Sequence, residues 1–258
     1  MGINYSGQNL PIGVTENCTF EWKGFDTTSQ PTGSSAVNLR DTNHVGRWTN
    51  DQSNNPSANQ NATISTVSGV RCCQVYSGTN PTKWLWFSGS STYFNGGSNG
   101  ISNMWWIYNN QNTGGDYHWG GQDGTPNWTN GGGLNTASAG MNGVRGGQWE
   151  FLGHGFDKRM GDSNDTQHRL LLGKWQLVIM CADSEGCMTY IDGELDGYNH
   201  YNSGKNTANT NFFIGRAWSK EDLNGMAGYI AWVASWKKML TEADAAEIWQ
   251  HTRKYFGR

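Results

Sequence analysis

The chain has 258 residues, a formal net charge of −3 and a pI near 6.0, a balance that gives no electrostatic footprint for nucleic acid or an anionic membrane. The length fits one large all-β domain or two small ones. Hydrophobic residues supply only 35% and charged residues 15%, while 36 Gly and 28 Asn fill the gap and 14 Trp, 10 Tyr and 9 Phe remain for a core. Such a composition suits short strands joined by many turns.

Taken in chain order, the opening "MGINYSGQNLPIG" has neither a basic start nor an apolar stretch, which predicts no secretory leader and synthesis in the cytoplasm. No later apolar run reaches the length of a membrane span. "CTFEWKGFD" (18–26) reads as a strand with Phe20 and Trp22 on one face. Residues 27–62 are polar and read as loop with one short strand. "ATISTVSGVRCCQVY" (62–76) alternates as a pair of strands, with Cys72 and Cys73 pointing to opposite faces. "KWLWFSG" (83–89) and "NMWWIYNN" (103–110) are short aromatic strands bounded by Gly and Asn. The segment 111–147 is the most glycine-dense and reads as a Gly/Trp-rich loop insertion within a single domain spanning 1–258.

Beyond it, "QWEFLGHGFD" is a strand, and "HRLLLGKWQLVIMCADSEGCMTYIDGELDGY" reads as strand, hairpin, strand, turn, strand. "NTNFFIGRAW" and "GMAGYIAWVASWKKML" add two more. In the last, Gly228, Ile230, Trp232, Ala234 and Trp236 alternate with Tyr229, Ala231, Val233 and Ser235, so both faces are largely apolar and the strand is covered on two sides. Thr241, with Asp244 three residues on, caps one short C-terminal helix whose docking stripe is Ala245, Ile248, Trp249, Thr252 and Tyr255 or Phe256. Of the five cysteines, Cys181 and Cys187 flank a hairpin loop and are placed to face each other. A disulfide there and free buried thiols are both open, and cytoplasmic synthesis favours thiols.

Six motifs in order, Trp175, Tyr190-Ile191-Asp192-Gly193, Ile214-Gly215, Gly228-Tyr229-Ile230, Leu240-Thr241 and Ala246-Glu247-Ile248, resemble the laminin G-like members of the concanavalin A-like lectin/glucanase superfamily. The resemblance covers residues 170–256 firmly and "TFEWKGF" loosely. It implies an all-β fold, a jelly-roll β-sandwich of two antiparallel sheets with the C-terminal helix at an edge or end. Where the family often has Ile-Asp-Glu-Val, this chain has Ile230-Ala231-Trp232-Val233, which points to a face buried against something apolar such as a neighbouring subunit.

Three groups of residues carry candidate chemistry. Asp192, Glu194 and Asp196 alternate as a strand would place them, and glucanases of the superfamily use a Glu-x-Asp-x-x-Glu strand motif. Here Glu194-x-Asp196 matches its first half, but Asn199 stands where the second Glu belongs. A retaining mechanism needs two carboxyls about 5 Å apart, so the stretch reads as a hairpin turn, no residue is assigned a catalytic role, and the chain is expected not to be an enzyme. Asp157, Asp162 and Asp165 lie in one polar loop and, by the resemblance, offer a calcium site at a sheet rim; no other cofactor is expected. Trp119 and Trp128, with Tyr117, Asp116 and Asn110, combine rings that stack on sugar C–H faces with groups that hydrogen-bond hydroxyls; ligand contact and protein interface are both open for them. Trp105 and Trp106 read as core.

The functional expectation is a non-enzymatic virion-exterior protein of a bacteriophage, a capsid decoration or tail receptor-binding module at the virion surface. Its expected partners are viral capsid or tail proteins, further copies of itself and host-surface glycans. A glycan-binding lectin module is the alternative, and a glycoside hydrolase or lyase of the superfamily stands behind both.

Overall fold

The computed structural model describes residues 9–50, 57, 59–75, 83–88, 100–110, 119–122, 139–142, 148–153, 156–159, 171–182, 186–200, 211–214 and 228–258. Sixteen strands are found among them, and the reading of 62–76, 83–89 and 103–110 holds. These become β4 (Thr63–Val67), β5 (Val70–Gln74), β6 (Trp84–Ser88) and β7 (Ile101–Asn109). The first strand is β1 (Cys18–Lys23). The polar stretch after it holds two strands rather than one, β2 (Ser35–Asn38) and the nine-residue β3 (Asp41–Thr49). The alternation of β3 escapes notice because its inward residues are His44, Gly46 and Trp48, only one of them a large apolar side chain.

The predicted insertion also contains regular structure. β8 (Trp119–Gln122) and β9 (Ala139–Asn142) lie inside 111–147, and the strand expected next is a hairpin of β10 (Gln148–Gly153) and β11 (Phe156–Arg159). Then follow β12 (Trp175–Ala182), β13 (Gly186–Ile191), β14 (Glu194–His200), β15 (Asn211–Ile214), β16 (Gly228–Trp236) and the helix α1 (Glu242–Thr252). The helix opens on the predicted capping box: the Thr241 hydroxyl accepts from the Asp244 N–H, and the Asp244 carboxylate accepts from the Thr241 N–H.

Two antiparallel sheets make the sandwich. The larger runs β14-β13-β12-β7-β16-β5-β4, with β1 also paired to β16, and the smaller runs β2-β3-β6-β15-β8; β9, β10 and β11 form a separate three-stranded sheet. Between the two main sheets lies a core built of Phe20, Trp22, Trp105, Val178, Ile191, Ile230 and Val233 from one side and Trp48, Leu85, Phe87 and Ile214 from the other. A second apolar layer covers the outer face of the large sheet. There Trp106, Trp175, Trp232 and Trp236 pack under Leu10, Val14, Phe25, Phe256 and the Ala245–Ile248 side of α1. Trp105 and Trp106 are thus both core, on opposite faces.

β16 is covered on both sides as expected, but its strict alternation fails. A bulge between Ile230 and Trp232 shifts the register against β7, so Ile230 joins the inner core while Ala231 and Trp232 both join the outer layer. The bulge also divides the strand's other edge, β5 pairing with Tyr229 and Ile230 and β1 with Trp232 onward. The apolar cover over Ala231 is the chain's own second layer, so its burial is not the signature of a neighbouring subunit. Cys72 and Cys73 divide between the two layers as predicted. Cys181 and Cys187 do not face each other: Cys181 pairs with Met188 and Cys187 with Ala182, one step out of register. Cys181 is a free thiol beside the Ser102 hydroxyl, pushed up to about 12 by burial and so unreactive.

Candidate functional site: an aromatic row at the end of the large sheet

The acidic stretch "YIDGELDGY" resolves into a turn, a rim and a bulge. Asp192 and Gly193 have φ of 51° and 88°, the two positive values a type I′ hairpin requires. The Asp192 carboxylate accepts from the Leu177 N–H at 3.0 Å and pairs with the Arg258 guanidinium at 2.6 Å. Glu194 is exposed, whereas Asp196 is buried where the register slips between Thr189 and Tyr190. The three carboxylates therefore form no row along one strand face.

The residues proposed from sequence as ligand contacts scatter. Asn110 is exposed just beyond β7. Trp119 is not in a loop: it begins β8, opposite Ile214 at the edge of the small sheet. Asp116, Tyr117 and Trp128 lie outside the described residues. Asp157 also belongs to a strand, opposite Leu152 in the β10–β11 hairpin, and Asp162 and Asp165 lie outside the described residues. Among the described residues no three His, Cys, Asp or Glu stand together as a metal site.

The structure assembles a different surface around Asn110. Register across five strands aligns Thr63, Gln74, Tyr229, Tyr108 and Trp175 in one row on the outer face of the large sheet. Trp175 is buried and donates its indole N–H to the Val67 carbonyl, anchoring the row. Tyr108 packs edge-on against Trp175 at 5.5 Å and Tyr229 at 6.2 Å, and both tyrosines, with Gln74 and Thr63, stay only half-buried. The Lys83 ammonium donates to the Thr63 hydroxyl at 2.6 Å, at one end of the row. At the other, the Gly173 N–H donates to the Asn109 carbonyl, folding exposed Leu172 and Lys174 beside Tyr108. Partly exposed rings flanked by an amide, a hydroxyl and ammonium groups can stack on C–H faces and hydrogen-bond hydroxyls. Sequence reasoning missed Tyr108 and Tyr229 because each merely ends a strand, and only the β7–β16 register brings them together.

The small sheet's outer face is less open. Trp84 and Trp86 form their own apolar pair there, with Arg47 over the Trp86 ring at 5.0 Å, but both indoles are buried and offer no stacking face.

Two antiparallel sheets packed as an all-β sandwich, with one short C-terminal helix, define a lectin/glucanase-type fold. The chain belongs to the concanavalin A-like lectin/glucanases superfamily, whose laminin G-like family model matches residues 88–246. Among solved structures it is similar to domain 4 of AbnA, a GH43 extracellular arabinanase from Geobacillus stearothermophilus, in complex with arabinotriose. That likeness has 17% identity over 90% of this chain and 98% of that one, with a TM-score of 0.56. It is also similar to Trypanosoma rangeli sialidase in complex with sialic acid (11% identity, 96% and 35% covered, TM-score 0.63). A third likeness is to the binding domain of botulinum neurotoxin DC in complex with SialylT (12% identity, 91% and 51% covered, TM-score 0.60). The chain thus spans about a third of the sialidase and half of the toxin structure. At these identities the likeness is one of fold. No curated protein matches the chain.

Proposed function

We propose that this chain is a non-catalytic glycan-binding module that holds saccharide on the Tyr229–Tyr108 row. The observation that carries this reading is the pair of half-buried tyrosine rings, backed by the buried Trp175 and flanked by Gln74, Thr63, Lys83, Asn110 and Lys174. Arabinotriose, sialic acid and SialylT in the similar structures support a saccharide as the ligand class. The use of Asp192 as a turn residue and the burial of Asp196 support binding without cleavage. A virion exterior, with capsid or tail proteins as partners and the module repeated as a homo-oligomer, is the setting proposed for it, and its support is the composition of low charge and abundant Gly, Asn and Trp.

A panel of neutral and acidic oligosaccharides, read by binding and by reducing-sugar release, tests the function. Wild-type protein should retain at least one class without releasing sugar. Tyr108→Leu and Tyr229→Leu, which keep apolar packing but remove the ring face, should each weaken that binding about tenfold, the loss of one ring contact of about 1.4 kcal/mol. Sugar release, or binding indifferent to both substitutions in folded protein, overturns the proposal.

A further inference from the structure

At the edge where β1 meets the β2–β3 hairpin, one buried amide has every hydrogen-bonding position taken. Asn38 Oδ1 accepts from the Glu21 and Arg40 backbone N–H groups, each at 3.0 Å, and Nδ2 donates to the Thr19 carbonyl at 3.2 Å. Those three partners admit one orientation, since a flipped amide would set its NH₂ against two N–H donors and its oxygen against a carbonyl. The remaining Nδ2 hydrogen points at His44 Nδ1, 3.3 Å away, and His44 Nε2 lies 2.7 Å from the Ser88 carbonyl. His44 must therefore be neutral, with its proton on Nε2 and its Nδ1 lone pair accepting.

We propose that Asn38 and His44 form an acid-sensitive bolt joining the two sheets: protonation of His44 turns Nδ1 into a donor facing a donor and releases the β2–β3 hairpin from β1 and β6. The ring sits between Phe20 of β1, edge-on at 6.2 Å, and Phe87 of β6, tilted at 5.1 Å. Among the described residues, Asp41 on its own strand acts on the ring's charge, Arg40 in the preceding turn and Glu21 on β1 meet the Asn38 amide through their backbone N–H groups, and β6 presents the Ser88 carbonyl. Asp41 and the Ser88 carbonyl favour the proton, but burial outweighs them and holds His44 below its ordinary value. A folded-state value below the unfolded one means the closed state is favoured fully above about pH 6.5 and loses stability as pH falls through that point. Opening then grows about tenfold per pH unit until the closed state itself takes up the proton.

Amide hydrogen exchange of the full chain between pH 7.5 and 5, corrected for intrinsic rates, is the measurement, with an NMR titration of the His44 ring beside it. Residues 35–49 should lose protection by close to tenfold per unit below pH 6.5 while the β13–β14 hairpin does not, and the ring should titrate below 6.5. His44→Gln should flatten the response. Asn38→Asp, whose carboxylate accepts from an imidazolium, should raise the ring's titration and reverse the trend. A flat wild-type profile, an equal acid response in His44→Gln, or a ring titrating at or above 6.5 overturns the bolt. Should neither variant fold, the wild-type ring titration and exchange profile decide alone.

Discussion

The most consequential single residue away from the aromatic row is Glu21. It is buried on β1 beside an equally buried Lys23, whose ammonium lies 3.1 Å from one carboxylate oxygen and 4.7 Å above the Trp232 ring. The Trp232 indole N–H donates to the same oxygen, and Arg40 Nη2 approaches the other at 2.6 Å without an aligned hydrogen bond, a Coulombic contact. A buried ion whose partner is removed costs about 3–5 kcal/mol, against a typical total stability of about 5–15. Glu21→Gln should therefore lower the urea midpoint sharply with an unchanged slope. Adding Lys23→Met should restore most of the loss, because the stranded charge goes with it. A midpoint unmoved by Glu21→Gln would mean that Lys23 reaches water. The alternation of "TFEWK" already puts Phe20 and Trp22 on one face, but nothing local tells that the other face is covered. That cover comes from β16 and the turn at Arg40.

At the scale of the element, the β13–β14 hairpin is where sequence and structure agree most closely. Asp-Gly at the turn is a local signal, and its two positive φ values are what the letters predict. The neighbour that punishes change was not legible: a Cβ on Gly193 would lie 2.6 Å from Trp249 Cβ on α1. Gly193→Ala thus combines backbone strain of about 1–3 kcal/mol with a collision against the helix. Asp192→Asn keeps the turn geometry and an acceptor for the Leu177 N–H while removing the charge that pairs with Arg258. Thermal melts should rank Gly193→Ala well below Asp192→Asn, and the reverse order would place the stabilisation in the ion pair. Local signals also found α1 with its capping box. They failed at β16, where the bulge at Ala231 answers to two partner strands on one edge, and at β3, whose inward His44 and Gly46 break the apolar pattern. Gly46 is needed because any Cβ there would press on Phe87 and the Trp86 carbonyl.

For the whole molecule, the jelly roll was legible because its last six motifs come in order, whereas the site was not. The site depends on β7 lying between β12 and β16, an adjacency of strands some seventy and a hundred and twenty residues away in sequence. The same adjacency bears on assembly. Ala231 and Trp232, which stand where the family has its two acids and read as a face buried against something apolar such as a subunit, both lie under the chain's own outer layer, with the Ala231 carbonyl accepting from the Gly24 N–H. Placing a hydroxyl in that layer without a partner costs about 1–3 kcal/mol, so Ala231→Ser should lower thermal stability while leaving the solution mass, by light scattering, at the wild-type value. A wild-type multimer that this substitution converts into an equally stable monomer would return the strand to an interface. Any oligomer of this module must therefore form through surfaces other than the two faces of β16, and a wild-type multimer whose mass survives Ala231→Ser would fit that requirement.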